Sequence, residues 1–347
     1  MENKEITLQL QLENANFINK KNIKKIEIDI KLDIPKKLYK YYSLSNYSLK
    51  GLKNSTIYFS HPHLLNDVMD GNFMLWNFTD FLKNFKKENE SDIEEALNGL
   101  TEPFLKSRGI FSLSDNYKNE LLWVHYTNEQ GYCIEFETEK LRKGLEKDRK
   151  EHEIYFFPIS YGDLKQINFK DYIIKSILPK TQEIYIDANL PILYSFAQKD
   201  KFWTYENEWR FLLNDNKFNK ISYPITIIND EQKEDEDNKK NGGNIEFHNE
   251  IISKIILAPL FFNNTRFNKS EFVEEDLRTY NFKNNNSGKL AQEFLDLLKS
   301  QFNDKIYQVD KIVKDGIVMR EIIYKIEIID INEKNIKIKK ILIKNGS

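Results

Sequence analysis

Short segments in which apolar side chains fall on every second residue recur along this chain, and that spacing is the period of a strand with one buried face. Leu8, Leu10 and Leu12 share one such face and Ile26, Ile28, Ile30 and Leu32 another, which predicts an antiparallel hairpin ended by Pro35. Leu38-Tyr39-Lys40-Tyr41-Tyr42 and Thr56-Ile57-Tyr58-Phe59-Ser60 follow as short aromatic strands, with a helix between them capped by Ser43 or Ser45. Further strands are expected at 109–114, 132–136, 154–161, 205–213, 221–228 and 251–257. Helices are expected at 73–106, 119–126, 139–148 and 169–200, and the polar run 230–243 reads as a solvated loop. In the tail, Leu290, Phe294, Leu297 and Leu298 mark an amphipathic helix. Alternating strands follow at 306–313, 317–329 and 336–343, with a hairpin turn at Asp315-Gly316.

These elements predict an α+β fold: a mixed or antiparallel central sheet with flanking helices, plus a small β-rich N-/C-terminal appendage. The expected boundaries are an N-terminal β-hairpin over 1–35, a central domain over 36–284 and a C-terminal helix and β-meander over 285–347. With 24 Phe and 18 Tyr in 347 residues, the chain has ample bulk for a packed core. Lys and Arg number 52 against 54 Asp and Glu, so charge does not indicate nucleic acid as a partner. The apolar stretches are too short to span a bilayer, and the start shows no secretory pattern, so a cytoplasmic protein without membrane association is expected. Cys133, the single cysteine, sits in an apolar alternation and reads as a buried structural thiol.

Three clusters could carry chemistry. In Phe202-Trp203-Thr204-Tyr205-Glu206-Asn207-Glu208-Trp209-Arg210, read as a strand, Glu206, Glu208 and Arg210 share one face. Two carboxylates and a guanidinium in a row can orient a sugar hydroxyl or stabilise a developing cation, or they can form a salt-bridge ladder on an exposed face. Trp123, His125 and Tyr126 on one helical turn offer a stacking surface with a titratable group. Ser60-His61-Pro62-His63 followed by Asn66-Asp67 holds two histidines without a convincing third ligand, so no metal site is predicted, and Asn66 and Asp67 are read as ligand contacts or a turn. Glycine-rich phosphate loops, the G-x-S-x-G elbow and the H-E-x-x-H helix are all absent from the sequence.

Taken in order, several of these pieces resemble the bacterial family called domain of unknown function 2971. They are Leu38-Tyr39-Lys40-Tyr41, Ile57-Tyr58-Phe59-Ser60, Asn66-Asp67, Asp70-Gly71, Phe111-Ser112, Trp123-Val124-His125-Tyr126 and Gly131 to Phe136, then Lys199 and Trp203 to Arg210. The resemblance spans about 38–262 and implies no reaction, since the family is named for lacking one. Where the family usually has Asn-Asp-Pro-Phe-Glu-Gly, this chain has Asn66-Asp67-Val68-Met69-Asp70-Gly71, which keeps the polar residues.

The layout of a strand, a helix and a strand ending Tyr-x-Ser, with a late glutamate on another strand, is also similar to ADP-ribosyltransferases. That likeness implies NAD as substrate, with Lys40 or Tyr41 holding the nucleotide and Tyr58 stacking on nicotinamide. Glu206 or Glu208 would be the catalytic carboxylate, and the protein would modify a macromolecule as a toxin or phage-defence effector. One alternative is a non-catalytic recognition module that binds through Trp123, Tyr126, Trp203 and Trp209 and contacts a protein partner through its C-terminal tail. Another is a metal-assisted nuclease using Asp67, Glu206, Glu208 and Lys199.

Overall fold

The computed structural model describes residues 34–67, 69–71, 75–78, 108–147, 154–168, 174–177, 184–187, 189–214, 242–268, 271–272, 276–314 and 316–343. The hairpin expected before Pro35, most of the helix expected at 73–106, the strand expected at 221–228 and nearly all of the polar run 230–243 lie outside the described residues. The chain divides into two compact units, one comprising Met1–Ile34, Pro62–Lys106 and Pro158–Thr204, the other Pro35–His61, Ser107–Phe157 and Tyr205–Ser347.

The larger unit is built on a sheet of thirteen strands among the described residues. In chain order they are β1 (Lys37–Tyr42), β2 (Thr56–Ser60), β3 (Arg108–Ser114), β4 (Tyr132–Glu137), β5 (Ile154–Pro158), β6 (Glu208–Asn214) and β7 (Gly242–Glu246). There follow β8 (Ile252–Leu257), β9 (Glu271–Phe272), β10 (Leu277–Asn281), β11 (Ile306–Lys314), β12 (Ile317–Ile331) and β13 (Asn335–Leu342). Its helices are α1 (Asn46–Lys53), α2 (Glu120–Thr127), α3 (Thr138–Glu146) and α4 (Asn286–Gln301). Hydrogen bonding orders the strands β7-β2-β3-β1-β4-β8-β11-β12-β13-β10-β9, with β6 on β3 and β5 on β6. The sheet is mixed, because β8 and β11 run parallel while β1, β3, β4 and β6 are joined by antiparallel pairs. Through that parallel pair the C-terminal meander continues the same sheet.

Strand β3 forks it. Antiparallel pairing with β6 runs the whole length of β3, from Ser114 opposite Glu208 to Arg108 opposite Asn214. The other edge is divided: β1 bridges at Ser114 through Tyr39, and β2 bridges at Ile110 through Ser60. Alternate residues of a strand turn their backbone groups to the same edge, so Ser112, between these bridges, faces the fork. There Lys40 Nζ donates to the Ser112 carbonyl at 2.8 Å, which satisfies a backbone acceptor that a continuous strand would otherwise serve.

The registers sort the side chains into two faces. One is apolar, with Leu38, Phe59, Phe111, Phe136 and Phe211 at most 1% exposed. Phe111 packs against Phe59 and edge-on against Phe136, while Tyr132 lies 4.6 Å from the Phe294 ring of α4. The other face is mixed, and α2 covers it through Trp123, whose ring meets Tyr41 edge-on at 5.1 Å. Asn119 caps α2 by accepting from Leu121 and Leu122, and Asn128, at φ 49°, ends it in the left-handed conformation that Asn tolerates. Ser45 caps α1, one of the two expected candidates.

In the smaller unit the expected helix over 169–200 is corrected. Strands Ile174–Ile177 and Ile184–Asp187 form an antiparallel pair, and among the described residues of this stretch the helix is Asn189–Phe196. Pro179 and the β-branched residues around it account for this, since proline cannot continue a helix. Trp76–Asn77, inside the expected helix 73–106, is a short strand parallel to Ile167–Asn168. Gly71 has φ +65°, and a Cβ there would sit 2.2 Å from Phe196.

Gly131 enters β4 so close to β1 that a Cβ would lie 2.0 Å from the Tyr42 carbonyl oxygen. Backbone cannot yield there as a flexible side chain would. Gly131→Ala is therefore expected to lower unfolding free energy by about 3 kcal/mol, read as a lower urea midpoint; an unchanged midpoint would contradict this packing.

Candidate functional site

The mixed face carries a row of side chains drawn from distant parts of the chain. Glu208 of β6 lies opposite Ser114 of β3, Ser114 opposite Tyr39 of β1, Tyr39 opposite Glu135 of β4, and Glu135 opposite Lys254 of β8. Directly opposed residues share a face, so the row crosses five strands. One step along the strands, Arg210, Ser112, Tyr41, Cys133 and Ile256 occupy the same face, as do Tyr58 and Ser60 of β2.

Charge on this face is held by partners. Arg210, fully buried, donates through Nε to Glu208 Oε1 at 2.7 Å and through Nη2 to Oε2 at 3.1 Å. This is a bidentate pair between residues two apart on one strand. Both groups are withdrawn from water, so the pair is a buried one and not the alternative of a salt-bridge ladder on an exposed face. Glu135 accepts from Tyr39 at 3.2 Å, from Ser253 at 2.7 Å and from Lys254 at 2.9 Å. Burial works to raise the Glu135 carboxyl, but the Ser253 and Lys254 hydrogen bonds and the charges of Lys254 and Lys37 outweigh it, and the carboxyl is held below its ordinary value. The Tyr39 hydroxyl is pushed well up by burial and then by the adjacent Glu135. Burial likewise raises the Cys133 thiol, which is completely enclosed, as expected for a structural cysteine.

Glu206 does not share the strand. Lys201–Glu206 forms a 3₁₀ turn, Asn207 takes a positive φ of 44°, and the strand starts only at Glu208. The reading of Glu206, Glu208 and Arg210 as one strand face is thereby corrected: the left-handed Asn207 breaks the extended backbone between the two glutamates. Tyr126 of α2 donates to Glu206 Oε1 at 2.8 Å, and Glu206 is 4% exposed. Asn119 ties the same junction by donating to the Tyr205 carbonyl while it caps α2. His125, exposed on α2, has its ring 6.3 Å from that of Tyr205. Trp123 is fully buried and donates to the Tyr117 carbonyl at 2.7 Å.

The expected site residues therefore separate into groups. Tyr41, Tyr58, Ser60, Glu208 and Arg210 share the mixed face, where Trp123 covers Tyr41 and Tyr126 reaches Glu206. Lys40 is on the opposite face, with its ammonium 5.3 Å from the Phe111 ring. Asn66, Asp67, Lys199 and Trp203 belong to the smaller unit. Within it Lys199 pairs with the buried Asp70 at 3.7 Å and lies over the Trp203 ring at 5.0 Å. Asp67 accepts from Met69 in a turn, and Asn66 is exposed. Sequence reasoning missed Tyr39, Ser114, Asn119, Glu135 and Lys254. Glu135 left a signal, a charged residue inside the otherwise apolar Tyr132-Cys133-Ile134-Glu135-Phe136 strand.

Residues 122–211 match the family model described as Protein of unknown function (DUF2971). The match opens in α2 and closes in β6, and so takes in Trp123, His125, Tyr126, Glu206, Glu208 and Arg210. No curated protein and no solved structure matches the chain. Among the described residues no helix is long and apolar enough to cross a membrane, and no group of three or more His, Cys, Asp or Glu could hold a metal ion.

Removing one partner of the Glu208–Arg210 pair leaves the other charge buried. Glu208→Gln and Arg210→Met are each expected to cost about 3–5 kcal/mol. The double variant should cost clearly less than their sum. Additive losses in a denaturation cycle would show that the two groups do not stabilise one another.

Proposed function

We propose that the forked, mixed face of the larger unit binds NAD and transfers its ADP-ribosyl group to a macromolecular acceptor. The observation that carries this reading is the fork. A contiguous strand–helix–strand, β1-α1-β2, opens along one edge of β3 and sends Tyr41, Tyr58 and Ser60 to the face that also holds the β6 carboxylate region. Tyr58 offers a partly exposed ring for a nicotinamide, and Glu206, at the turn before β6, a carboxylate for a ribosyl cation. In the transfer, the bond between ribose C1′ and the nicotinamide nitrogen breaks, and nicotinamide leaves with the electron pair as a neutral molecule. The acceptor nucleophile bonds to C1′ and gives up its proton.

In this reading Glu206, oriented by Tyr126, stabilises the oxocarbenium-like centre. Glu208 is locked to Arg210 and braces β6, and exposed His125 takes the acceptor proton. Tyr58, 36% exposed, is the stacking surface for nicotinamide. The bacterial-defence role expected from the layout belongs to this proposal and stands or falls with the chemistry.

A recognition module is the second reading, favoured by the burial of Glu206 and Glu208 at 4% and 5% exposed, each with an internal partner. The nuclease reading has its four residues divided between the units, Asp67 and Lys199 in one, Glu206 and Glu208 in the other. Calorimetric titration with NAD, with nicotinamide release followed by chromatography, separates the first two. The wild type should bind and release; Glu206→Gln should release about 10²–10³-fold more slowly at similar affinity. Binding without release by the wild type would favour recognition, and neither would remove NAD from the account.

A further inference from the structure

Strand β13 reads Asn335-Ile336-Lys337-Ile338-Lys339-Lys340-Ile341-Leu342, and its core-side positions are Ile336, Ile338 and then Lys340. Ile336 and Ile338 are completely buried, as is Ile326, which lies opposite Lys340 on β12. A lysine therefore stands where the alternation calls for an apolar side chain. Among the described residues the partner of its ammonium is an amide oxygen and not a carboxylate. Nζ donates to Gln308 Oε1 at 2.8 Å and lies 5.5 Å from the Phe262 ring and 5.4 Å from the Tyr324 ring. Gln308 is itself fixed, because its Nε2 donates to the carbonyls of Ala258 and Pro259 at 3.3 Å each, so its oxygen must point at the lysine. Arg278 of β10 sits opposite Ile338, diagonal to Lys340 on the same face.

We propose that Lys340 is an acylation site whose amine takes a small acyl group from an activated donor of the acyl phosphate class. The amine lone pair attacks the acyl carbon, the new C–N bond forms and the C–O bond to phosphate breaks. Phosphate leaves with the electron pair, and the proton lost from nitrogen goes to solvent. The amide product also fits these surroundings, at the loss of the two ring–cation contacts. A secondary amide keeps one N–H for Gln308 Oε1, sets its alkyl end between Phe262 and Tyr324, and removes a cation from beside Arg278.

The surroundings also prepare the amine. Burial, with Arg278 adding to it and Asp310 opposing it, holds the Lys340 ammonium down to about 8. Tyr324 also faces it among the described residues. At pH 7.5 an amine of that basicity is deprotonated far more often than an ordinary lysine, while its lower basicity costs part of the gain in nucleophilicity.

The test uses the full chain and acetyl phosphate from pH 6.5 to 10, with site occupancy followed by peptide mass spectrometry. Exposed Lys53 and Lys314 serve as internal references. At pH 7.5 Lys340 should acquire acetyl roughly tenfold faster than either. Its rate should level off above about pH 8 while theirs keep rising. A Lys340 rate equal to or below the references, or one that climbs in parallel with theirs, overturns the proposal. Because the comparison is made within one wild-type molecule, no variant has to fold for it to be decisive.

Discussion

A strand has two edges, and β3 must serve three neighbours. Full pairing with β6 consumes one edge, so β1 and β2 are left to share the other, and each bridges it near one end. The backbone between those bridges cannot be abandoned inside a packed sheet, because an unmet buried carbonyl costs as much as a lost hydrogen bond. Lys40 meets the requirement at Ser112 from the apolar side, with its ammonium over the Phe111 ring. The fork descends from that shared edge.

The buried carboxylates Glu208 and Glu135 of the mixed face each arrive with partners. Glu208 and Arg210 satisfy each other within one strand, whereas Glu135 gathers donors from β1 and β8. Buried ion pairs contribute little net stability against an apolar substitute, yet they are costly to break singly. Glu206 differs in kind, since it sits on a turn and is reached from a helix, so small movements of α2 bear on it directly.

Much of this was legible from side-chain periodicity. The strands at Leu38–Tyr42, Thr56–Ser60 and through the tail follow from alternation, and the mixed sheet with helices follows from their order. Alternation also separates Lys40 from Tyr41, so the two alternatives for holding the nucleotide lie on opposite faces. Asn207 was the readable sign that Glu206 and Glu208 part company, because Asn tolerates positive φ better than most residues. What could not be read was register. Nothing local in Ser114, Tyr39, Glu135 and Lys254 says that they stand side by side; only pairing between strands far apart in sequence brings them there. The strand pair inside 169–200 was missed because a helical spacing was preferred to the Ile-rich, proline-broken local sequence.

The claim on which the account turns is that the fork and its mixed face are where a dinucleotide binds. Amide hydrogen exchange with and without saturating NAD tests this region by region. The account predicts slower exchange in peptides covering 37–42, 56–60 and 120–127, with the meander strands beyond 317 unchanged. Exchange that is identical with and without NAD, or slowed only outside those segments, would contradict it.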